Sequence, residues 1–532
     1  MPWTMRNGGR GSNITFEYVI ALLPRSYAAT ADQWRSRSIY QLVTDRFALA
    51  NDSSSNSNVT CDTSLRQYCG GTWQGIIDHL DYIQDMGFDA VWISPVVANI
   101  ENTTAYGQAY HGYWTQDMTS LNPHFGTAED LKNLSAALHA RDMYLMLDVV
   151  VNDMVSPNGL NLTSLVPFSA PDQFHQLCYI TDDNNQTEVQ QCWPGDSTLP
   201  RADINTDNPS VVTALETWIS GVVQEYGVDG IRLDSAKHIH SSFWAWFTEN
   251  AGVFSLGEVL SNDTSYVAPY TQVMDAVLEY PSYYPLVSAF SSPQGNLSAL
   301  VDTIESAQNI YKSSTFMTGT FLENHDQPRF TSLTNDTALI TNAITWPFIT
   351  DGIPVLYYGQ EQGYQGGSDP NNREALWLSN FDTNGPYVSH MKTLNAARKA
   401  AIAPQTSYFL TNPMTFMNQS NSSMLAVSKP PMIALLTNVG SNATEDVAWT
   451  VHSAFDVLTC NTIQADSKGG MTVKALKGMP QVLMPMNLLG KSRSLCPNFQ
   501  FSDKATGAGH SLSPRQATLV VIALVGITLA FV

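Results

Sequence analysis

The sequence predicts a (β/α)8 barrel of the α/β class, with a small domain inserted after the third strand and an antiparallel β-sandwich at the C-terminal end. Three observations lead there. Short apolar runs of strand length recur along most of the chain with helical stretches between them, the pattern of consecutive strands in a parallel sheet. Three of these runs deliver an acidic residue at or just beyond their C-terminal end: Asp234 in Asp229-Gly-Ile-Arg-Leu-Asp234, Glu258 in Val253-Phe-Ser-Leu-Gly-Glu258, and Asp326 in Gly319-Thr-Phe-Leu-Glu-Asn-His-Asp326. After about residue 403 the helical pattern gives way to short alternating strands, as at 432–438 and 448–451.

Taken in order, the strand candidates are 39–43, 90–93, 144–150, 230–233, 253–257, 276–278, 318–321 and 354–357. Helical periodicity fills the intervals, most clearly over 127–140 and 211–226. The stretch 152–209 is far longer than an ordinary barrel loop and rich in Asn, Asp, Pro and Gly, so it reads as an inserted domain. The expected organisation is a leader at 1–30, a barrel over 31–151 and 210–403, the insert at 152–209, a sandwich over 404–497, and a linker with an attachment signal at 498–532. The serine-rich run 53–57 is a loop.

In a barrel of this kind the C-terminal strand ends converge on one pocket. Three carboxylates delivered there equip it for glycoside chemistry, which needs a nucleophile, a proton donor and a group that orients the sugar. Asp234 is the candidate nucleophile, because Arg232 two residues earlier faces the same side of the strand and keeps it ionised. An Arg and an Asp so spaced are equally a structural ion pair. Glu258 is the candidate general acid and then base, which requires a raised pKa beside a charged Asp234. A separation of about 5 Å between them would mean retention through a covalent glycosyl intermediate. Tyr106, Tyr110, His111, Tyr113 and Trp114 follow the second strand and offer flat faces for pyranose rings, though by composition the cluster is equally core.

The chain of 532 residues is long enough for two or three domains. Its formal net charge of -21 repels nucleic acid and anionic lipid and suits a neutral polysaccharide, or simply solubility outside the cell. About thirteen Asn-x-Ser/Thr sequons, among them Asn58, Asn102, Asn161, Asn262, Asn335 and Asn442, fit a secreted glycoprotein. The first thirty residues hold an irregular signal, with Arg6 and Arg10 before a short apolar stretch at 19–23. At the other end, small residues at 507–509, a polar spacer at 510–516 and an apolar tail at 517–532 form the pattern of a GPI-attachment signal. A tail-anchored helix is the alternative, for which sixteen residues are short. The expected protein is therefore a monomer, secreted and held at the plasma membrane or cell wall through the anchor alone.

The segments Asp148-Val-Val-Val-Asn-Asp153, Gly230-Ile-Arg-Leu-Asp-Ser-Ala-Lys-His238, Gly257-Glu258-Val259 and Phe321-Leu-Glu-Asn-His-Asp326 resemble, in order and spacing, the four signature regions of the α-amylase family. The likeness, closest to fungal secreted members, runs from about residue 34 to 496 and includes Gly70-Gly-Thr-Trp-Gln-Gly75 and Asp369-Pro-Asn-Asn-Arg373. It implies that Asp326, with His325, is the third carboxylate, binding sugar hydroxyls. It also implies sugar contacts from Tyr113, Trp114 and His111, acceptor-side contacts from Lys237 and His238, and a donor-side clamp of Asp369 and Arg373. A calcium ion is implied, with Asn152, Asp203 and the His238 carbonyl as ligands and Gln190 where the family has Glu, which weakens the site. The six cysteines fall into the local pairs Cys61–Cys69, Cys178–Cys192 and Cys460–Cys496; spacing does not prove the pairing, but the resemblance implies it, while one further family pair is missing.

Asp153 departs from the pattern. There the family has a histidine that donates a hydrogen bond to the sugar beside the nucleophile, whereas an ionised aspartate only accepts and adds negative charge. Together with the tail, this resembles the cell-wall-associated branch of the family that acts as 4-α-glucanotransferases. The expected activity is therefore on α-1,4-glucan or maltooligosaccharide, by the retaining mechanism, with a sugar acceptor favoured over water. A plain endo-hydrolytic α-amylase and an inactive glucan-binding wall protein are the alternatives; the second predicts loss of a catalytic carboxylate, and none is lost.

Overall fold

Eight parallel strands close on themselves in the computed structural model, which describes residues 29–50, 59–404, 408–417, 420–443, 447–451, 455–463, 471–485, 488 and 495–496. They are β1 (Ile39–Leu42), β2 (Ala90–Ile93), β3 (Tyr144–Val149), β4 (Gly230–Leu233), β5 (Phe254–Gly257), β6 (Ala276–Leu278), β7 (Thr318–Phe321) and β8 (Ile353–Tyr357). Ile39 pairs with Ala90 on one side and Val355 on the other, which closes the ring. Each strand begins and ends within one residue of the range read from the sequence.

Strand alternation sorts the side chains into two cores. Ile39, Ala90, Trp92, Met146, Phe254, Leu256, Ala276, Leu278, Phe321, Ile353 and Val355 fill the interior, over Trp34, which stacks on Phe254 with ring centroids 4.8 Å apart. Gly230 makes room for that indole, since a Cβ there would lie 2.7 Å from Trp34. Neighbours of opposite parity, such as Leu145, Leu147, Ile231, Leu233 and Val277, face the surrounding helices.

The helices carry the end signals their sequences announce. Ala128–His139 starts at Thr127 with a reciprocal capping box to Asp130. Pro209–Tyr226 has Asn208 as its cap, Pro209 in its first turn, and Gly227 in the left-handed region at φ +61° just past its end.

Between β3 and the 209–226 helix the chain makes a hairpin in which Asp153–Val155 pairs antiparallel with Arg201–Asp203. Further out it is closed by the Cys178–Cys192 disulfide. The disulfides Cys61–Cys69 and Cys460–Cys496 form as the resemblance implied.

Among the described residues the C-terminal region forms a six-stranded antiparallel sheet facing a two-stranded one. Ala426, Leu435 and Leu483 meet Val473 and Ala475 of the smaller sheet, while Leu425, Val427, Ala434 and Leu436 join the core shared with the barrel helices. An ion pair of Lys429 with Asp351, both buried, ties the two regions together.

The tail at 498–532 and all but the last two residues of the leader lie outside the described residues. Among the described residues no helix is long and apolar enough to cross a membrane.

Candidate active site

Asp148 and Arg232 are register partners on β3 and β4, both of inward parity, so they meet in the top layer of the barrel interior. Arg232 Nη1 donates to both Asp148 oxygens, at 2.9 and 3.1 Å, and to Asp234 Oδ1 at 2.7 Å, while Nη2 lies 2.8 Å from Glu258 Oε2. One buried guanidinium thus holds three carboxylates. Asp148 also accepts from Trp92 Nε1 (3.1 Å) and the Tyr113 hydroxyl (2.8 Å), and burial pushes it up to about 6. Sequence reasoning gave Asp148 no role; its signal was available in the matched parity of two short strands.

Glu258 sits two residues beyond the inward Leu256, so its carboxyl points over the barrel mouth. Burial pushes its pKa up to about 7, against the opposing pull of Arg232. Ser235, held at φ +51°, turns its backbone N–H onto Glu258 Oε2 at 2.9 Å. Gly257 keeps this corner open: a Cβ there would lie 2.1 Å from Met274 Sδ.

Asp234, Glu258 and Asp326 line one cavity of about 270 Å³, together with His111, Tyr113, Trp114, His325, Asp369 and Arg373. His325 Nδ1 lies 2.8 Å from Gln41 Nε2; with the amide as donor, the ring proton is on Nε2, 3.1 Å from Asp326. Burial and the nearby arginines Arg232 and Arg373 hold His325 well below its ordinary pKa, so it is a neutral donor. His111 is neutral for the same kind of reason, and its Nδ1 accepts from the Tyr113 N–H at 3.0 Å, leaving Nε2 to donate. The Tyr113 ring stacks on His325, with centroids 5.1 Å apart. Arg373 bridges Asp326 (3.4 Å) and Asp369 (3.0 Å).

Other expected residues fall elsewhere. Lys237 and His238 lie on a short turn (Ala236–His238) against the 186–191 helix, with Lys237 O accepting from Gln186 and His238 Nδ1 3.1 Å from Val189 O; neither lines the cavity. Asp153 is fully buried and absent from the cavity wall. Both its oxygens are taken by Arg201, Oδ1 by Nε at 3.0 Å and Oδ2 by Nη2 at 2.6 Å. The added negative charge expected at this position is therefore cancelled on the spot, and Arg201, which the sequence reading passed over, lines the cavity instead.

The residues for calcium can be tested on their free oxygens. Asn152 Oδ1 and Asp203 Oδ1 are both buried without a hydrogen-bond partner, on adjoining segments where Ile204 N bonds Asn152 O at 2.8 Å. Orphaned hard oxygens fit a hard cation. Asp203 is the sole carboxylate among the proposed ligands, its other oxygen is 2.6 Å from His175 Nδ1, and among the described residues no group of three His, Cys, Asp or Glu is placed to hold a metal.

A parallel barrel whose mouth gathers three carboxylates around one arginine, in a cleft walled by aromatic rings and neutral histidines, has the build of a glycosidase. Residues 41–405 match the family described as alpha amylase, catalytic domain, and residues 416–503 match alpha-amylase, domain C. The chain is 43% identical over 477 residues to Alpha-amylase 2 of Schwanniomyces occidentalis, covering 87% of this chain and 93% of that protein. It is 37% identical over 514 residues to Alpha-amylase 2 of Schizosaccharomyces pombe, covering 93% and 88%. The structure of an alpha-amylase from Malbranchea cinnamomea superposes with a TM-score of 0.83 at 41% identity, covering 87% of this chain and 99% of that one. CldA, described as a cyclomaltodextrin glucanotransferase with a three-domain ABC distribution, superposes with a TM-score of 0.71 at 26% identity, covering 84% and 99%. This chain belongs to the alpha-amylase family of glycoside hydrolases, enzymes acting on α-glucan.

Proposed function

We propose that the protein cleaves α-1,4-glucan by double displacement and passes the glycosyl group preferentially to a sugar hydroxyl. The carrying observation is that Asp234 and Glu258 share one guanidinium while burial pushes Glu258 up to about 7, where it keeps the proton a general acid must supply. Glu258 protonates the glycosidic oxygen as Asp234 attacks C1, and the C1–O bond breaks as the Asp234–C1 ester forms. Glu258, now a carboxylate, then takes the proton of an incoming hydroxyl whose oxygen attacks C1 and releases Asp234. Neutral His111 and His325 and the Asp326 carboxylate bond the sugar hydroxyls, while Arg373 fixes Asp326 and Asp369.

The resemblance at Asp153 to the glucanotransferase branch and the occurrence of a named glucanotransferase on the same fold support transfer over hydrolysis. Hydrolysis is the second reading, favoured by the names of the relatives. A calcium ion on Asn152 and Asp203, with Gln190 and the His238 carbonyl as further ligands, would brace the insert against the barrel and supply charge, not chemistry. The tail signal supports work on glucan at the cell wall.

The test is to incubate the protein with a single maltooligosaccharide and follow reducing ends and product lengths. Transfer gives longer products at nearly constant reducing ends. Rising reducing ends with shorter products would establish hydrolysis, and no change at all would leave a binding protein. Asp234→Asn is expected to lower turnover by at least about a thousandfold with glucan binding kept; undiminished turnover would remove Asp234 from its role.

A further inference from the structure

We infer that Arg201 is a sugar-binding residue of the donor site, its unused guanidinium nitrogen bonding hydroxyls of the glucosyl unit beside Asp234, with Asp153 acting as its buried counter-ion. This deepens, and rests on, the proposed reading of the carboxylates.

A guanidinium offers five N–H donors in one plane. Asp153 occupies Nε and Nη2 of Arg201, at 3.0 and 2.6 Å, and among the described residues Nη1 has no hydrogen-bond partner. The Asp153 side chain is sealed, whereas that of Arg201 is 26% exposed, and its open side belongs to the wall of the cavity holding Asp234 and Asp326. Among the described residues Arg201 makes an ion pair with Asp153 alone, so it stands back from the catalytic carboxylates and leaves space between. A cation free to move would collapse onto them.

It is not free to move. Asp153 anchors the head of the side chain. The backbone is fixed by the antiparallel pairing of Arg201 with Val155 and by its N–H to Pro194 O at 3.2 Å. The stem runs over Gly195, where a Cβ would approach Arg201 Cγ to 3.3 Å. A donor pre-positioned in this way loses little freedom when a ligand arrives. Since the pair is neutral as a whole, the ligand it suits is an uncharged polyol face, two hydroxyls of one pyranose ring.

Arg201→Lys tests this while keeping a cation for Asp153, because one ammonium cannot serve the buried carboxylate as a fork and also reach the sugar. The substrates are α-maltotriosyl fluoride, which needs only the donor site, and analogues lacking the 2-, 3- or 6-hydroxyl of the reacting glucosyl unit. The native enzyme is expected to lose about tenfold to a hundredfold in kcat/KM on removal of at least one hydroxyl. Arg201→Lys should lose a similar factor on the intact fluoride and nothing further on that analogue. If Arg201→Lys fails to fold, the neutral double variant Asp153→Asn/Arg201→Met replaces it, with thermal melting as the control. Equal sensitivity of native and variant enzymes to all three deletions, or a variant within about threefold of native, would overturn the inference while leaving the Asp234 reading intact. A native enzyme inert toward the fluoride would overturn that reading and this one together.

Discussion

Nη2 of Arg232 lies 2.8 Å from Oε2 of Glu258, close enough for the cation to oppose the burial that protonates the acid. Burial prevails, and Glu258 titrates near 7. Because the first chemical step consumes its proton, the rate of glycosyl-enzyme formation should fall as pH rises through about 7. A pH–rate profile of kcat/KM on an unactivated maltooligosaccharide, whose leaving sugar oxygen must be protonated, measures this limb, and Glu258→Gln should remove it along with most of the activity.

Asp148→Asn should move that limb toward acid. With Asp148 uncharged, Arg232 turns its full charge on Asp234 and Glu258, and one repelling carboxylate is gone, so both changes favour ionised Glu258. A shift of about one pH unit and a loss of about tenfold in kcat at neutral pH are expected. An unmoved profile would show that Asp148 does not act on Glu258.

Glu279 offers a test of stability distinct from activity. Its two oxygens are buried without hydrogen-bond partners in a cavity of about 20 Å³ beside Tyr311 and Asp351, and burial raises its pKa to about 8. Its folded-state pKa lies above the unfolded value of 4.5, so its contribution is fully present below about 4.5 and is lost as pH rises through about 8. Glu279→Gln should therefore raise the melting temperature at pH 8–9, corresponding to at most roughly 5 kcal/mol of stability, and change it little at pH 4. Melting curves at the two pH values decide.

Calcium should stabilise more than it activates. Added calcium is expected to raise the melting temperature and a chelator to lower it, by about 3 kcal/mol at a hundredfold excess over Kd. Asp203→Asn, which removes the sole carboxylate of the set, should abolish the calcium dependence of melting.

The barrel was legible because its strands are short apolar runs set off by capped helices, and the three carboxylates because each follows such a run. Parity explains what sequence alone did not separate. Asp234 and Glu258 lie two residues beyond the inward Arg232 and Leu256, whereas Glu279 lies one beyond the inward Leu278 and so points away from the cavity, toward the 297–311 helix. Arg201 was beyond reach for another reason: it meets Asp153 across 48 residues, through a hairpin register that no local pattern encodes. Lys237 and His238 follow Asp234 in sequence but turn with the chain toward the insert.

The pairing of sealed Asp153 with Arg201 also constrains how such a site can arise. Asp153 introduced before Arg201, or left behind by its loss, strands a charge in a buried hairpin, at a cost of about 3–5 kcal/mol. The two positions are thus tied in descent as they are in space, and a lineage that does not acquire Arg201 first reaches this arrangement through a less stable ancestor or by exchanging both residues nearly at once.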